Sequence, residues 1–336
     1  MSNLIEKNII TLLALIMGLL GTVTVAANAD GVSDKTFKEL KIWYKNEAPK
    51  SDAEMGTDQI YALGPNRGVK VKGEDYRDAH WIVKQNDGWE LWSLPIGNGF
   101  MGVNVFGRTD TERLQITEPS LFNPFPHGFA NFSETYIDFD HTNVTNYYRD
   151  LSLNDAIARV SYTSNGINYT REIFTSYPDK VMALKLTASG KGNLTFTLRP
   201  TIPHLDSYSL TAKNPGRGKS NCSVVAAADG TITLKGKMNH FGIEFEGQYK
   251  VIPVGGSMTV VDGDKIRVTG ANEAVIYVAI GSNYELKPDV FILGASQKLA
   301  GNAHPHDRLV AYIAAAVSKG YNSIKASHLS DYKKYF

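Results

Sequence analysis

The chain is poor in cysteine, in charge imbalance and in long apolar runs. A single Cys222 in 336 residues excludes an intramolecular disulfide and any cysteine-built zinc or iron–sulfur site. Thirty-five Lys+Arg against 34 Asp+Glu leave a net charge of +1, which gives no electrostatic case for nucleic acid or an anionic membrane as partner. Only one apolar stretch approaches spanning length, from Ile9 to Val25. What is abundant points elsewhere. With 43% hydrophobic residues the chain can build a core and most of it is not disordered. Thirty Gly, 17 Tyr and 14 Phe lean toward a β-rich protein with many turns.

Lys7 followed by the Ile9–Val25 run and by Ala27-Asn28-Ala29 has the order of a signal peptide cut before Asp30. Residues 1–29 are therefore expected to be removed, leaving no membrane segment in the mature chain. Export without disulfides suggests a bacterial periplasmic or extracellular protein. Five Asn-x-Ser/Thr triplets, at Asn131, Asn143, Asn168, Asn193 and Asn221, would take glycans only in a eukaryotic secretory pathway, and chance in an Asn-rich sequence accounts for them.

Residues 30–88 are polar and weakly periodic, broken by Pro49, Gly56, Gly64, Pro65 and Gly68, and are expected to be an irregular lead-in with one or two short strands. From 89 to 290 short apolar runs recur between turn signals. They include Met101–Phe106, Leu114–Thr117, Ala158–Tyr162, Ile167–Phe174, Val181–Thr187 and Ala274–Ile280. Asn165-Gly166, Asp229-Gly230 and Asp262-Gly263 are hairpin signals, because these residues tolerate positive φ. Strands at such spacing without intervening helices predict a mostly β fold, a large antiparallel β-sandwich.

After Pro288 the pattern changes. Leu309, Val310, Ile313, Ala314 and Val317 fall at helical spacing, with Gly320 placed to end that helix. A second helix is expected from an N-cap at Ser323 through Ile324, Leu329 and Tyr332 to Tyr335 and Phe336. Its apolar positions need a partner surface, and the sequence alone offers none, so this end is expected to fray or aggregate.

The segment from Leu94 to Gly107, Leu-Pro-Ile-Gly-Asn-Gly-Phe-Met-Gly-Val-Asn-Val-Phe-Gly, reads as a tight turn feeding a strand. Gly97-Asn98-Gly99 is a poor phosphate cradle, since no Lys follows and no helix N-terminus comes next. This segment, with Glu112-Arg113-Leu114-Gln115-Ile116 and Glu118, resembles the N-terminal domain of glycoside hydrolase family 95, the inverting α-L-fucosidases and related α-L-galactosidases. Three further blocks keep the same order: Tyr148-Arg149-Asp150-Leu151 through Ala156, Arg171-Glu172-Ile173-Phe174-Thr175-Ser176-Tyr177-Pro178, and His328-Leu329-Ser330-Asp331-Tyr332 through Phe336. The resemblance implies a large β-sandwich (supersandwich) over 89–290 and a helical linker over 291–336, truncated before an (α/α)6 barrel that carries the catalytic acids. It implies carbohydrate as ligand, the absent helical domain as partner, no cofactor and no metal.

Inverting hydrolysis needs two carboxyl groups flanking one bond. Glu90, Glu118, Asp138, Asp140 and Glu172 are available, but carboxylates in strands and turns are more often paired structural groups, so no catalytic residue is nominated. Arg171 and Glu172 are neighbours in a strand and face opposite sides, each free to pair across strands. Asp138-Phe139-Asp140-His141 has metal-capable groups, yet alternation splits the aspartates from His141, and a solvated loop is expected. Where the family has Asn-Glu-x-x-Leu-Trp, this chain has Thr117-Glu118-Pro119-Ser120-Leu121-Phe122, a departure at the place where sugar specificity would lie. Trp92, Asn98, Glu118, Phe122, Asn123 and His127, with Trp89 nearby, are the candidates for a sugar-site rim, because aromatic faces stack on a pyranose and amides bind its hydroxyls. The alternative is that Trp92 and Phe122 belong to the sandwich core or to a domain interface. For the chain as a whole, the alternatives to a non-catalytic hydrolase domain are a free-standing carbohydrate-binding or scaffolding module and a small hydrolase built on Glu118.

Overall fold

A computed structural model describes residues 40–48, 60–62, 69–71, 82–84, 92–124, 127–202, 222–238, 242–294 and 296–336. The signal-peptide segment, most of the lead-in, Trp89 and Glu90 lie outside the described residues, as do the side chains of Phe122, Asn123 and His127. In chain order the strands are β1 (Lys41–Tyr44), β2 (Ile60–Ala62), β3 (Val69–Val71), β4 (Ile82–Lys84), β5 (Leu94–Gly97), β6 (Gly102–Val105), β7 (Thr111–Pro124), β8 (His127–Asp138), β9 (Val144–Ser152) and β10 (Ile157–Ser164). They continue with β11 (Ile167–Ser176), β12 (Val181–Ala188), β13 (Leu194–Thr201), β14 (Cys222–Ala226), β15 (Thr231–Lys237), β16 (Glu244–Val254), β17 (Ser257–Val261), β18 (Lys265–Ala271) and β19 (Glu273–Ser282). Helices α1 (Asp289–Ile292), α2 (His306–Lys319) and α3 (Tyr321–Tyr332) follow.

Two antiparallel sheets make the sandwich. One has nine strands in the order β1-β9-β10-β11-β12-β19-β16-β15-β14, the other seven in the order β17-β18-β13-β8-β7-β6-β5, and β3-β2-β4 form a small third sheet. Leu114, Ile116, Phe132 and Phe196 from the seven-stranded sheet pack against Met182, Leu184, Tyr249 and Ile276 from the nine-stranded one in a single core. Phe132 meets Phe245 edge-on at 5.6 Å between centroids. The hairpin signals hold at Asn165-Gly166 and Asp262-Gly263, where both residues of each pair have positive φ. β1, from the lead-in, closes the edge of the nine-stranded sheet in register Lys41↔Ser152.

β8 and β9 carry no clean apolar alternation, and none of the apolar runs marks either. In β8 the inward positions include Ser133 and Thr135, which bond the buried Tyr249 hydroxyl at 3.2 and 3.0 Å, while Glu134 takes a bidentate pair from Arg113 on the other face. Polar groups thus sit on both faces among the buried Phe132 and Ile137 and are satisfied, so tertiary pairing overrides the period-2 signal.

The helices do not project as an uncovered face. They lie on the outer side of the nine-stranded sheet, where Leu309, Ile313, Ala316, Tyr321 and Ile324 join Phe174, Val181, Ala183, Tyr277 and Ala279 in a second core. β12 and β19 are thus buried on both faces, which is why Val181–Leu186 and Ala274–Ile280 read as nearly unbroken apolar runs. The expectation of an unpartnered helix is overturned on this point, since the partner is the outer surface of a sheet the sequence could not display as two-sided. Each large apolar side chain so covered contributes about 1.5–3 kcal/mol. The N-cap of α3 is also not Ser323. Gly320, at φ 77°, ends α2 and starts α3 at once, because Tyr321 is drawn under the sheet against Phe174.

Polar ties fix the same docking. Glu172 accepts from the Tyr321 hydroxyl at 2.9 Å and from Lys325 at 2.7 and 2.8 Å, and these partners with Arg159 hold its carboxyl below the usual range against the opposing effect of burial. His328 shares a 2.7 Å bond with the Asp155 carbonyl, and Tyr332, one turn on, donates to the Leu153 carbonyl at 2.7 Å. The His328 block and the Leu153–Ala156 turn, two of the motifs read from sequence, are therefore the two halves of one tether.

Candidate functional site

The Gly97-Asn98-Gly99-Phe100 turn joins β5 to β6 in register Gly97↔Gly102. Asn98 builds it. Its Oδ1 accepts from the Phe100 and Met101 amides, both at 3.0 Å, and its Nδ2 donates to the Ser176 carbonyl at 3.0 Å. This is the turn chemistry for which Asn is suited, an amide side chain standing in for backbone. One N–H of the Asn98 amide remains, on a residue that is only 8% exposed. At the tip Phe100 stacks on Tyr177 at 5.3 Å, and Lys180 sits over both rings at 3.8 and 3.7 Å.

A cleft opens on each side of this turn. The larger, about 340 Å³, is bounded by Gly97, Asn98, Thr175 and Tyr177 of the sandwich and by His328, Asp331, Tyr332 and Tyr335. The smaller, about 280 Å³, is bounded by Gly99, Met101, Gly102, Thr117, Glu118 and Pro119. Each cleft holds one carboxylate among its described lining residues, Asp331 in the first and Glu118 in the second. Burial pushes the Glu118 carboxyl up, opposed by bonds from the Ser120 amide and hydroxyl at 2.8 and 2.5 Å and by the more distant Arg308. Ser120 also bonds Ser282, whose carbonyl takes the Arg308 guanidinium, so Glu118 is anchored to β19 and α2. A carboxyl that keeps its proton to higher pH can donate to a hydroxyl as well as accept from one.

The structure separates the six rim candidates. Asn98 and Glu118 flank the same turn and face the clefts. Trp92 does not. Its ring is 6.4 Å from Tyr44 and its carbonyl accepts from Arg149, on the side of the sandwich where Arg149 is wholly buried. Phe122, Asn123 and His127 are placed by backbone at the far end of the β7–β8 hairpin, in the pairs Phe122↔Phe129, Asn123↔Gly128 and Pro124↔His127, beyond an irregularity after Thr117. Tyr177, Asp331 and Tyr335 were not nominated from sequence. All three sit inside recognised motifs, and only the docking of α3 brings the two motifs together.

Behind the turn lies a buried ionic centre. Arg171 pairs with Glu112 across the sandwich and donates to the Tyr162 hydroxyl at 2.9 Å; Glu112 also accepts the Gly107 amide at 2.6 Å. Burial acts to discharge Arg171, but Tyr162 and Glu112 outweigh it and push its pKa up. Arg149 donates to the Phe106 carbonyl at 3.0 Å and the Asn46 carbonyl at 3.3 Å, and lies 4.1 Å over the Tyr44 ring. These groups serve packing. The expectation for Arg171 and Glu172 holds: one points into the sandwich and the other out to α3.

His141 departs from the solvated loop expected for Asp138–His141. The two aspartates do pair at the surface, with Arg199 and Arg267, but the imidazole packs 4.9 Å from Phe139 and 3.9 Å from Tyr169 and bonds the Tyr162 hydroxyl at 2.7 Å. Aromatic enclosure won over local polarity. Among the described residues no group of three or more His, Cys, Asp or Glu could hold a metal ion. Burial, and secondarily Arg171, depresses the His141 pKa from 6.5 to about 4, with Asp140 opposing. Between those values the unfolded chain binds the proton and the folded one does not, so stability is full above pH 6.5 and falls as the pH drops toward 4. Discounted for the half-buried ring, the loss is about 1–2 kcal/mol. Urea unfolding from pH 7 to 4 should show this slope flattened in His141→Phe; an unchanged slope would remove His141 as its source.

Comparison with known proteins follows the geometry. Residues 120–287 match the family model described as glycosyl hydrolase family 65, N-terminal domain. "Alpha-L-fucosidase 2" of Arabidopsis thaliana is 26% identical over 297 residues, covering 73% of this chain and 34% of that protein. "Probable alpha-fucosidase A" of Aspergillus niger is 22% identical over 294 residues, covering 73% and 35%. The chain thus spans about a third of the length of these relatives. Among solved structures, a putative kojibiose phosphorylase from human microbiome aligns at a TM-score of 0.43 and 12% identity, covering 72% of this chain and 35% of that one.

Proposed function

The chain belongs to the family of the glycosyl hydrolase family 65 N-terminal domain, and we propose that it is the β-sandwich domain of an exported glycoside hydrolase of the α-L-fucosidase type seen in family 95, without turnover of its own. Its work is mechanical and positional. The sandwich braces a helical catalytic domain and offers the Gly97–Phe100 turn and the Glu118 loop to the rim of that domain's active site. The names of the two fucosidase relatives support the substrate class, and the Leu94–Gly107 segment supports the finer family.

One observation carries the non-catalytic reading: each cleft has a single carboxylate among its described lining residues, whereas inverting hydrolysis places two across one bond, about 6.5–9.5 Å apart. Glu118, protonated to higher pH by burial, has the character of a general acid but faces no second acid among the residues lining its cleft. The full chain, purified and assayed on an aryl α-L-fucoside, should release no phenol above background. Turnover that disappears in Glu118→Gln would sink the proposal and make this a small hydrolase. A second reading, a carbohydrate-binding module, is favoured by the aromatic walls of the larger cleft.

A further inference from the structure

We infer that the cleft between the β5–β6 turn and α3 is a binding site for one pyranose ring, a neutral polyol subsite formed when α3 docks on the sandwich. The inference deepens the carbohydrate-binding reading above and rests on it for the ligand class.

Three observations converge. At about 340 Å³ the cleft sits at the small end of ligand pockets, of order 300–1,000 Å³, which suits a single ring and not an oligosaccharide. Two tyrosines flank its mouth from different elements: Tyr177 on the β11–β12 turn, 51% exposed, and Tyr335 after α3, 85% exposed. The Tyr177 ring is held by Phe100 and Lys180, so it offers its surface at little entropic cost. Aromatic faces of this kind take the C–H side of a sugar.

The polar groups complete the match. Asp331 lines the cleft with a carboxylate whose one side-chain bond among the described residues is a long 3.4 Å contact from Lys334, leaving acceptor capacity for sugar hydroxyls. Asn98, a residue 8% exposed, adds the second N–H of its amide. Among the described lining residues there is no Lys or Arg, and the cations near Asp331, Lys180 over the Tyr177 ring and Lys334, balance the Asp331 charge from outside the cleft lining. An acceptor, a donor and two aromatic plates describe a neutral sugar.

The floor ties the site to the fold. His328, tilted against Phe174 at 4.7 Å and bonded to the Asp155 carbonyl, and Tyr332, bonded to the Leu153 carbonyl, set the height of α3 above the sheet. The same tether that buries the helix therefore spaces Tyr335 and Asp331 from Tyr177.

Saturation-transfer NMR and calorimetric titration of the full chain with methyl α-L-fucopyranoside, methyl β-D-galactopyranoside and methyl α-D-glucopyranoside test this. At least one should show transfer to ring C–H protons. That transfer should vanish in Tyr177→Ala/Tyr335→Ala, and Asp331→Ala should weaken binding about tenfold, the worth of one good polar contact, with melting midpoints near wild type. No transfer to any of the three overturns the site and leaves the supporting-domain proposal standing, which the aryl fucoside assay decides on its own. Binding undiminished in the double tyrosine variant also overturns the site, while keeping a carbohydrate-binding role for the chain.

Discussion

Arg171→Met should destabilise the chain by about 3–5 kcal/mol, because it strands a buried carboxylate. Glu112 is fully buried in β7, on the seven-stranded sheet; Arg171 is 2% exposed in β11, on the nine-stranded sheet. Their bond crosses the core and is an ionic rivet between the layers. Removing the guanidinium also takes one of its partners from the Tyr162 hydroxyl, which keeps His141, and uncovers the ring of Phe139, over which Arg171 lies at 4.7 Å. Glu112→Leu alone should cost less, about 2–3 kcal/mol, since it leaves Arg171 with Tyr162 but orphans the Gly107 amide. The double variant should then be milder than the sum of the singles, because the second change removes a charge the first left unpaired. Urea unfolding at constant m-value reads all three. Additive costs, or a cost near zero for Arg171→Met, would refute the rivet.

Gly107→Ala should be nearly as damaging while Gly99→Ala is mild, although both glycines belong to one motif and both have positive φ. A Cβ on Gly107, at φ 73°, would stand 2.6 Å from Arg149 Cδ and 2.8 Å from the Tyr147 hydroxyl. Neither neighbour can retreat. Tyr147 donates to the Gly107 carbonyl at 2.5 Å, and Arg149 is bound to the carbonyls of Asn46, Trp92 and Phe106. Left-handed backbone costs a Cβ-bearing residue about 1–2 kcal/mol, and overpacking a filled site adds about 1–3 kcal/mol. Gly99, at φ 81°, has nothing within 4 Å of its would-be Cβ and bears the first cost alone. Unfolding free energies of the two variants, read from urea melts, should differ by about 2 kcal/mol; equal values would show that Arg149 yields.

The two sites of greatest expected damage are also those where the motifs were most legible. Arg149, Arg171 and Glu112 were visible as charged residues inside recognisable blocks, yet nothing in their spacing told that they meet, because Glu112 and Arg171 are brought together only when two sheets close face to face. Asn98 was read as a sugar contact; the structure shows most of its capacity spent on its own turn, with one N–H left over. Glu118 was legible as a carboxylate on a departing loop, but its raised pKa depends on burial by neighbours distant in sequence, and its anchorage runs through Ser120 to Ser282. Trp92 carried an aromatic signal with no indication of side, and it faces Tyr44.

Local chemistry was enough for the elements. Apolar runs of strand length, the Asn165-Gly166 and Asp262-Gly263 turns, and the helical spacing from Leu309 to Val317 fixed a β-sandwich followed by helices, since these features are decided within a few residues by φ preference and side-chain period. Tertiary structure decided everything that depends on which surfaces touch. It covered the apolar stripe of α3 with the outer face of β11, β12 and β19, enclosed His141 in rings, turned polar β8 into a central strand, and assembled a cleft from Asn98, Tyr177 and Asp331. Burial and long-range pairing are properties of packed layers, and a one-dimensional pattern carries the faces of each element but not the identity of what will cover them.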